Sequence, residues 1–333
     1  MSATHGEFAI VILFARLITA TLAVVACLPV TLAQAAEVNF VTDFGYYGRH
    51  SYYYVALDKG YYKQEGIDIT FLRGQGSIDA IKKVASGAAT IGFADAGAVA
   101  LARSNDGIPV KLLAIVYASP PHGIFALADS GIKTAKDLEG KTLADSAFSS
   151  IPIIFNAYAQ ATGIDAKKVK WVTAEVSALP SLLAAQRVDG VGQFTVGEPL
   201  LADAVKPKKL TRIAYKDAGL EYYGNGIVAT EQTIKDNPAL LKAFVRATLR
   251  GMRDAFANPA EAGEIMHKYH KEISAEVAQG ETELVRELAV VPGQTLGAID
   301  DAHVKRSIDI MQKSFPMKNP VQSQDLYVPG CVE

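Results

Sequence analysis

The sequence is poor in cysteine, tryptophan and net charge. Its 333 residues include two cysteines and one tryptophan, and 33 basic side chains nearly balance 35 acidic ones, for a formal net charge of −2. A chain without a charge excess has no global field to attract nucleic acid or an anionic membrane surface. The cysteines are Cys27 and Cys331, the latter expected as a frayed terminal residue, so no cysteine-based zinc or iron–sulfur site is predicted.

Long apolar runs are also scarce, which excludes a polytopic membrane protein. The one such run spans 8–36 and is interrupted only by Arg16. Residues 17–30 have the character of the apolar region of an export signal, and small residues precede a cleavage point between Ala35 and Ala36. We therefore predict that residues 1–35 are a signal peptide and that the mature chain is exported to the periplasm.

Two alternatives to cleavage at this point stay open at the level of sequence. The apolar run is longer than average and its start is uncharged, as in an uncleaved membrane anchor. Cys27 would be the acylated residue if the leader were that of a lipoprotein, although the apolar run continues beyond it. With the signal peptide removed, no membrane insertion is expected.

Beyond the leader, short β-branched runs alternate with amphipathic segments, a pattern typical of parallel α/β architecture. Pro120-Pro121 interrupts this series once, and the character changes to helices after about residue 230. We predict two lobes, 36–121 with 227–333 and 122–226, between which the chain crosses twice. The predicted strands are 38–41, 67–72, 90–94, 110–117, 123–127, 141–144, 169–172 and 189–194.

The segment 59–69, K-G-Y-Y-K-Q-E-G-I-D-I, is the most specific motif in the chain. With the aromatic loop 43–50 before it, this segment resembles the periplasmic solute-binding proteins of ABC importers, in the NMT1-like branch of thiamine-pyrimidine-precursor and alkanesulfonate or nitrate binders. The resemblance covers most of 38–250, and its supporting segments are 86–95, 136–141 and 188–199.

The resemblance implies a fold and a set of partners. The fold is a two-lobed, type II-like periplasmic-binding-protein clamshell that binds its ligand between the lobes. The partners are an ABC permease and its ATPase, and the binding protein itself is expected to be a monomer with no catalytic residue, cofactor or metal. His267 and His270 stand at metal-ligand spacing, but no third ligand is evident and a solvated helical face explains them better.

Open α/β sheets bind ligands at the carboxyl ends of their strands, so the loops there supply the candidate site residues. In the loop after the first strand, Tyr46, Tyr47 and His50 offer flat faces with polar tips, and Arg49 offers a planar charged fork. Residues 52–54 are three further tyrosines that we expect in the core. Packing within the lobe is the competing interpretation for the candidate tyrosines.

Three further loops carry polar candidates. Asp95 can accept a hydrogen bond from an amine or cap the following helix. Ser146 and Ser149 precede a helix whose N-terminus would suit an oxyanion or carbonyl, with simple capping as the alternative. Glu198, between Gly197 and Pro199, is expected to receive exocyclic amines, unless it only opens a helix.

Stacking surfaces beside carboxylate acceptors favour a small planar N-heterocycle such as a pyrimidine as the ligand. Arg49 and the serine loop leave a sulfonate, nitrate or aromatic carboxylate open. The enzyme that makes the thiamine pyrimidine shares the fold and is a rival of another class, but its cysteine-rich motif is absent, since no cysteine lies between residues 28 and 330. A sensor or scaffold without a transport role is a further alternative.

Overall fold

The computed structural model describes residues 35–332. Their core is two five-stranded sheets, here called sheet A and sheet B, with helices packed around them. Sheet A has the strand order β2-β1-β3-β10-β4 and sheet B the order β7-β6-β8-β5-β9. The strands are β1 Ala36–Val41, β2 Ile67–Leu72, β3 Ile91–Asp95, β4 Val110–Ile115, β5 His122–Leu127, β6 Thr142–Asp145, β7 Lys170–Thr173, β8 Gly190–Phe194, β9 Leu210–Ala214 and β10 Asn225–Thr230.

Helices fill most of the connections and dominate the carboxyl-terminal third. The α-helices are α1 Ser51–Asp58, α2 Tyr61–Gln64, α3 Ser77–Ala85, α4 Ala96–Asp106, α5 Ile151–Thr162, α6 Leu179–Ala184, α7 Glu198–Val205, α8 Glu231–Asp236, α9 Pro238–Ala257, α10 Pro259–Tyr269, α11 Ala275–Ala289, α12 Asp301–Ser314 and α13 Ser323–Leu326. Short 3₁₀ turns occur at Gly48–His50, Ala135–Leu138, Ala166–Lys168, Val176–Ala178, Thr195–Gly197 and Tyr215–Ala218.

The chain passes from sheet A to sheet B between β4 and β5 and returns between β9 and β10. This arrangement confirms the predicted two-lobed α/β fold with two crossovers. The predicted all-parallel pattern is wrong in one respect, because β10 runs antiparallel to β3 and β4, and β5 runs antiparallel to β8 and β9. Each of these is the strand that enters from the other sheet, and it therefore runs in the opposite direction to its neighbours.

Strand β9 was not predicted from the sequence, and it is the edge strand of sheet B. Its segment, Leu-Thr-Arg-Ile-Ala, has only two fully buried residues and a weak alternation. Strand β2 has the predicted bounds. The long helix α9, which begins at Pro238 and ends at Ala257, lies in the part of the chain after residue 230 where helices were expected.

The amphipathic helices cover sheet A because each has one apolar face to bury. Helix α9 packs on α1, where Gly251 lies so close to the backbone of Tyr52 that any side chain there would overlap it. The three tyrosines at 52–54 are core residues, as expected. Cys331 is also buried, contrary to the expected frayed terminus.

Within residues 35–332, no helix combines the length and the apolar character needed to cross a bilayer. The predicted signal peptide and Cys27 lie outside the described residues, as does all of the sequence ahead of the expected cleavage region.

Candidate functional site

The carboxyl ends of the parallel strands in the two sheets face each other, and Phe194, at the end of β8, is at the centre of the contact. Its ring lies 5.5 Å from that of Phe44, which follows β1 in sheet A, and 5.2 Å from that of His122 in sheet B. The Tyr117 ring is 6.4 Å away, and the Arg49 guanidinium carbon is 6.0 Å from the Phe194 centroid. Residues from both sheets therefore enclose one buried region.

Seven polar residues surround this region and are buried. We call them the cleft cluster: Asp43, Arg49, Asp95, Tyr117, His122, Asn225 and Glu281. Four of them follow or end strands of sheet A or begin β10, whose start lies at the same edge because that strand is antiparallel. His122 begins β5 in sheet B for the same reason, and Glu281 is contributed by helix α11.

Asp43 is the most fully hydrogen-bonded member of the cleft cluster. One carboxylate oxygen accepts from the Phe44 backbone at 2.7 Å and from His50 Nε2 at 2.8 Å, and the other accepts from the Asn225 amide at 2.8 Å. Burial acts to raise the pKa of Asp43, but the His50 hydrogen bond and the Arg49 charge outweigh it and hold that pKa below its usual value. Asp43 is therefore an anion that orients its neighbours.

His50, predicted as a ligand contact, uses both ring nitrogens within the protein. Nε2 donates to Asp43, and Nδ1 accepts from the Tyr47 backbone N–H at 3.3 Å. Burial lowers the pKa of His50 more than the Asp43 hydrogen bond raises it, so the ring is neutral at physiological pH. The geometry makes His50 a support for Asp43.

Arg49 is buried with its guanidinium stacked 4.3 Å over the Tyr47 ring. Its backbone N–H donates to Glu281 Oε2 at 2.7 Å, and this hydrogen bond positions the backbone from which the side chain extends. None of its three side-chain nitrogens has a hydrogen-bond partner among residues 35–332. A buried guanidinium without acceptors is costly, so this group is held ready for an external partner.

Asp95 caps α4, which is one of the two functions that the sequence suggested, and its second oxygen stays available for the other. Its Oδ1 accepts from the Ala98 backbone N–H at 2.8 Å and caps α4. Its Oδ2 has no hydrogen-bond partner in the described chain and lies 3.6 Å from His122 Nε2. Burial raises the pKa of Asp95 to about 7, against the lowering effect of the backbone N–H groups.

His122 is neutral and held from two sides. Its Nδ1 contacts the Tyr222 hydroxyl at 2.9 Å and its Nε2 contacts the Ser150 hydroxyl at 2.9 Å. Burial lowers the pKa of His122 to about 3. An uncharged imidazole next to Asp95 explains why that carboxyl gains no stabilisation from a neighbouring cation.

The predicted serine loop is organised around Asp145. Ser149 donates to Asp145 Oδ2 at 2.9 Å, and the Ser146 backbone N–H donates to Oδ1 at 2.6 Å. Burial raises the pKa of Asp145 to about 8 despite these hydrogen bonds. The loop lines a separate pocket of about 170 Å³ in sheet B's lobe, and Trp171 is also part of its lining.

The serine loop also joins the two lobes directly, in a contact that we call the latch. The Ser146 hydroxyl donates to the Gln75 carbonyl at 2.6 Å, and the Ile78 backbone N–H donates to the Phe148 carbonyl at 3.2 Å. Gly76, between the two bonds, has φ 145°, and a Cβ there would overlap the Phe148 carbonyl oxygen. The latch therefore requires glycine at position 76.

The structure does not bring all the predicted site residues together. Tyr47 supports Arg49 and Asp95 belongs to the cleft cluster, but the Tyr46 hydroxyl donates to the Phe71 carbonyl at 2.8 Å. The Tyr46 ring packs against that of His270, with the centroids 4.5 Å apart, so this histidine is packed rather than solvated. Glu198 opens α7 and pairs with Arg212 at 2.6 Å, where both side chains are partly exposed.

Several members of the cleft cluster were missed from the sequence. Tyr117 and His122 flank the Pro120-Pro121 break, and Asn225 precedes a glycine at the start of a strand. Proline and glycine mark loops at strand ends, so the sequence offered a weak signal that these residues belong to a site. Glu281 offered none, because it lies in a helix with several other acidic residues. Among residues 35–332, no group of three or more His, Cys, Asp or Glu side chains is arranged to hold a metal ion.

The fold is the two-lobed fold of periplasmic binding proteins. The chain belongs to the NMT1/THI5-like family, whose model matches residues 48–262.

Two relatives and one solved structure illustrate the range of that similarity. The formylaminopyrimidine-binding protein of Halalkalibacterium halodurans is 25% identical over 287 residues, which cover 84% of this chain and 85% of that protein. The 4-amino-5-hydroxymethyl-2-methylpyrimidine phosphate synthase of Legionella pneumophila is 27% identical over 220 residues, 65% of this chain and 68% of that enzyme. The alkanesulfonate-binding protein of Xanthomonas axonopodis pv. citri superposes with a TM-score of 0.69 at 14% identity, over 89% of this chain and 99% of that one.

Proposed function

We propose that this chain is an extracytoplasmic solute-binding protein that captures a small, planar, uncharged N-heterocycle of the pyrimidine type between its lobes. It then delivers that ligand to an ABC permease. The observation that carries the proposal is the cleft cluster. Its buried donors and acceptors on the side of sheet A have no partner in the described chain, and they lie beside aromatic rings of both lobes. The similarity to a formylaminopyrimidine-binding protein over most of both chains supports the same ligand class.

Hydrogen-bonding capacity in the cleft cluster suits a heterocycle with both donor and acceptor edges. Asp95 Oδ2 and Asn225 Oδ1 are buried acceptors without partners in the described chain, and they lie on paired positions of β3 and β10. Exocyclic amines are the complementary donors. The rings of Phe44, Tyr117 and Phe194 supply apolar faces against which a planar ligand would stack.

The balance of charges in the cleft cluster disfavours an anionic ligand. Arg49 is the only cation of the cleft cluster, and the anionic Asp43 already offsets it. Burial raises the pKa of Glu281 to about 7, against the opposing Arg49 charge, and that of Asp95 to about 7, so these carboxyls carry part of a further negative charge at neutral pH. A sulfonate or carboxylate would add a buried charge of the same sign.

A thermal-shift panel of pyrimidines, purines, alkanesulfonates and aromatic acids tests this proposal. A heterocycle at 100 times its Kd should add about 2.7 kcal/mol to the free energy of unfolding and raise Tm by several degrees. Asp95→Asn should reduce the shift more than Glu198→Gln, because Glu198 is engaged with Arg212 at the surface. Stabilisation by sulfonates or aromatic acids alone would contradict the assignment.

Delivery of the ligand to a permease requires that the binding protein is exported and that it diffuses freely between ligand and permease. We propose cleavage at the predicted signal peptide, a periplasmic location and a monomeric state, with a permease and its ATPase as partners. Mass spectrometry of the protein recovered from a periplasmic extract should give an N-terminus at Ala36, and light scattering should give the mass of one chain. Recovery only from the cytosol with Met1 intact would contradict export.

We further propose that the chain binds its heterocycle without transforming it. A pyrimidine phosphate synthase is among the relatives of this chain, so the test must address catalysis directly. Addition of pyridoxal phosphate should leave the absorbance spectrum of the cofactor unchanged, and a bound pyrimidine should be recovered intact after denaturation. A shifted cofactor band with a new product would place the chain with the synthases.

A further inference from the structure

Arg49 presents more unused hydrogen-bond donors than any other side chain of the cleft cluster. Its Nε, Nη1 and Nη2 are buried and have no acceptor among residues 35–332. A guanidinium carries five N–H groups in a fixed plane, and each one left without an acceptor in a buried site costs free energy. The fork therefore needs oxygen or nitrogen acceptors from outside the described chain.

The nearby carboxylates do not meet that need. Both oxygens of Asp43 are engaged by Phe44, His50 and Asn225, and Oε2 of Glu281 accepts from the Arg49 backbone. Glu281 Oε1 is buried without a partner, so it too is outside hydrogen-bond distance of the guanidinium. These groups compensate the charge of Arg49 through space and leave its donors available.

The position of the fork is fixed on three sides. Tyr47 lies under its plane at 4.3 Å, and the Phe44 and Phe194 rings lie 5.7 and 6.0 Å from the guanidinium carbon. On the lobe of sheet B, a Cβ at Gly197 would come within 3.1 Å of Arg49 Nη1, so this glycine makes room for the fork. Arg49 thus reaches from one lobe to the other beside Phe194.

We infer that Arg49 is a receptor for a carbonyl oxygen, and that the bound heterocycle is an uncharged aminopyrimidine carrying such an oxygen on its ring or on a substituent. The inference rests on the proposed function and deepens it. The amine of the ligand faces Asp95 Oδ2 and Asn225 Oδ1, and its oxygen accepts from the Arg49 fork. Because Asp43 already compensates the cation, a neutral oxygen is preferred over a carboxylate.

Isothermal titration calorimetry with three matched probes tests the inference on protein purified after expression of the full chain. The probes are 4-aminopyrimidine, 4-aminopyrimidine-5-carboxamide and 4-aminopyrimidine-5-carboxylate. The wild type should bind the carboxamide at least tenfold more tightly than either of the other two. Arg49→Met should bind the carboxamide and 4-aminopyrimidine equally, because the variant keeps the apolar stem and loses the donors.

Arg250→Met is the matched control, since Arg250 stacks 4.0 Å over Tyr61 on an exposed surface and should keep the wild-type preference. If Arg49→Met does not fold, Arg49→Gln replaces it, and the affinities of the wild type for the three probes still test the inference. Equal binding of 4-aminopyrimidine and its carboxamide by the wild type would overturn the inference and leave the proposed function intact. Preference for the carboxylate would overturn it as well, and binding of none of the three would overturn both proposals.

Discussion

At the scale of single residues, Asp95 shows how one side chain serves fold and site together. One oxygen caps α4 through the Ala98 N–H, and the other is a buried acceptor without a partner in the described chain. Asparagine keeps an oxygen for the cap but turns an amide N–H₂ toward the ligand amine. Asp95→Asn should therefore not lower the free energy of unfolding, because the amide keeps the cap and removes a buried carboxyl whose pKa is raised, and it should weaken binding of the best heterocycle about tenfold or more.

Asp95→Ala separates the two functions, because it removes the cap as well. Relative to Asp95→Asn, it should lower the free energy of unfolding by about 1 kcal/mol, and it should weaken binding as well. Urea denaturation and calorimetry measure the two effects independently. Wild-type affinity in Asp95→Asn would contradict a ligand role for Oδ2.

The raised pKa of Asp145 leads to a prediction for the pH dependence of stability. Burial raises its pKa to about 8 in the folded chain, whereas an unfolded aspartate titrates near pH 3.9. The folded state binds the proton more tightly, so the stabilisation is complete below about pH 4 and is lost as the pH rises toward 8. The free energy of unfolding should fall between pH 5.5 and 8.5, with Asp145 contributing up to about 1.4 kcal/mol per pH unit.

Urea denaturation of Asp145→Asn at four pH values in this range checks the sign. The variant should show a flatter pH dependence than the wild type because it lacks the titrating group. Asp129→Asn, on the exposed surface of the same lobe, is the control and should keep the wild-type slope. If the free energy of unfolding changes equally with pH in Asp145→Asn and in the wild type, groups other than Asp145 cause the pH dependence.

At the scale of elements, the sequence was informative wherever local chemistry decides the structure. Over residues 67–70, β2 alternates less exposed with exposed residues, and Asn237 stands at the N-cap position of α9 just before Pro238, so both elements could be placed from local pattern. The reversed strands β5 and β10 could not, because direction in a sheet depends on where the chain arrives from. Glu281 could not be found for a related reason: it meets Arg49 from 232 residues away.

The candidate loops lie at strand ends, and several of the candidate side chains in them make hydrogen bonds within the protein. Ser146 and Ser149 bond to Gln75 and Asp145, and His50 bonds to Asp43. Sequence indicates which residue types are present in a loop. It does not indicate whether a hydroxyl or imidazole is already engaged by a group that only the tertiary fold brings near.

The latch between α3 and the serine loop gives a prediction at this scale. Gly76→Ala should weaken ligand binding about tenfold or more, because the new Cβ overlaps the Phe148 carbonyl and keeps the lobes apart. Gly140→Ala is the matched control, since Gly140 has φ 83° and open space around its Cβ. Both variants should lose about 1 kcal/mol of stability from backbone strain, and only Gly76→Ala should lose affinity. Equal affinities by calorimetry would contradict a role for the latch.

At the scale of the whole molecule, the cleft cluster links ligand binding to lobe closure. With the lobes in contact and no ligand, the donors of Arg49 and the acceptors of Asp95 and Asn225 are buried without partners in the described chain. Each buried polar group without a hydrogen-bond partner costs about 1 to 3 kcal/mol of stability. An open arrangement, in which water hydrates these groups, is therefore favoured without ligand. A ligand that gives these groups partners while it packs against Phe194 of the other lobe removes this cost, and the latch bonds then form.

Small-angle X-ray scattering measures this closure. The radius of gyration of the wild type should fall on addition of saturating heterocycle, and that of Gly140→Ala should fall equally. Gly76→Ala should keep the larger radius even at ligand concentrations that saturate it, because its added Cβ blocks the contact with Phe148. A wild-type radius that does not change with saturating ligand would mean that binding occurs without movement of the lobes. The buried donors of Arg49 would then have to be satisfied in a cleft that is already closed.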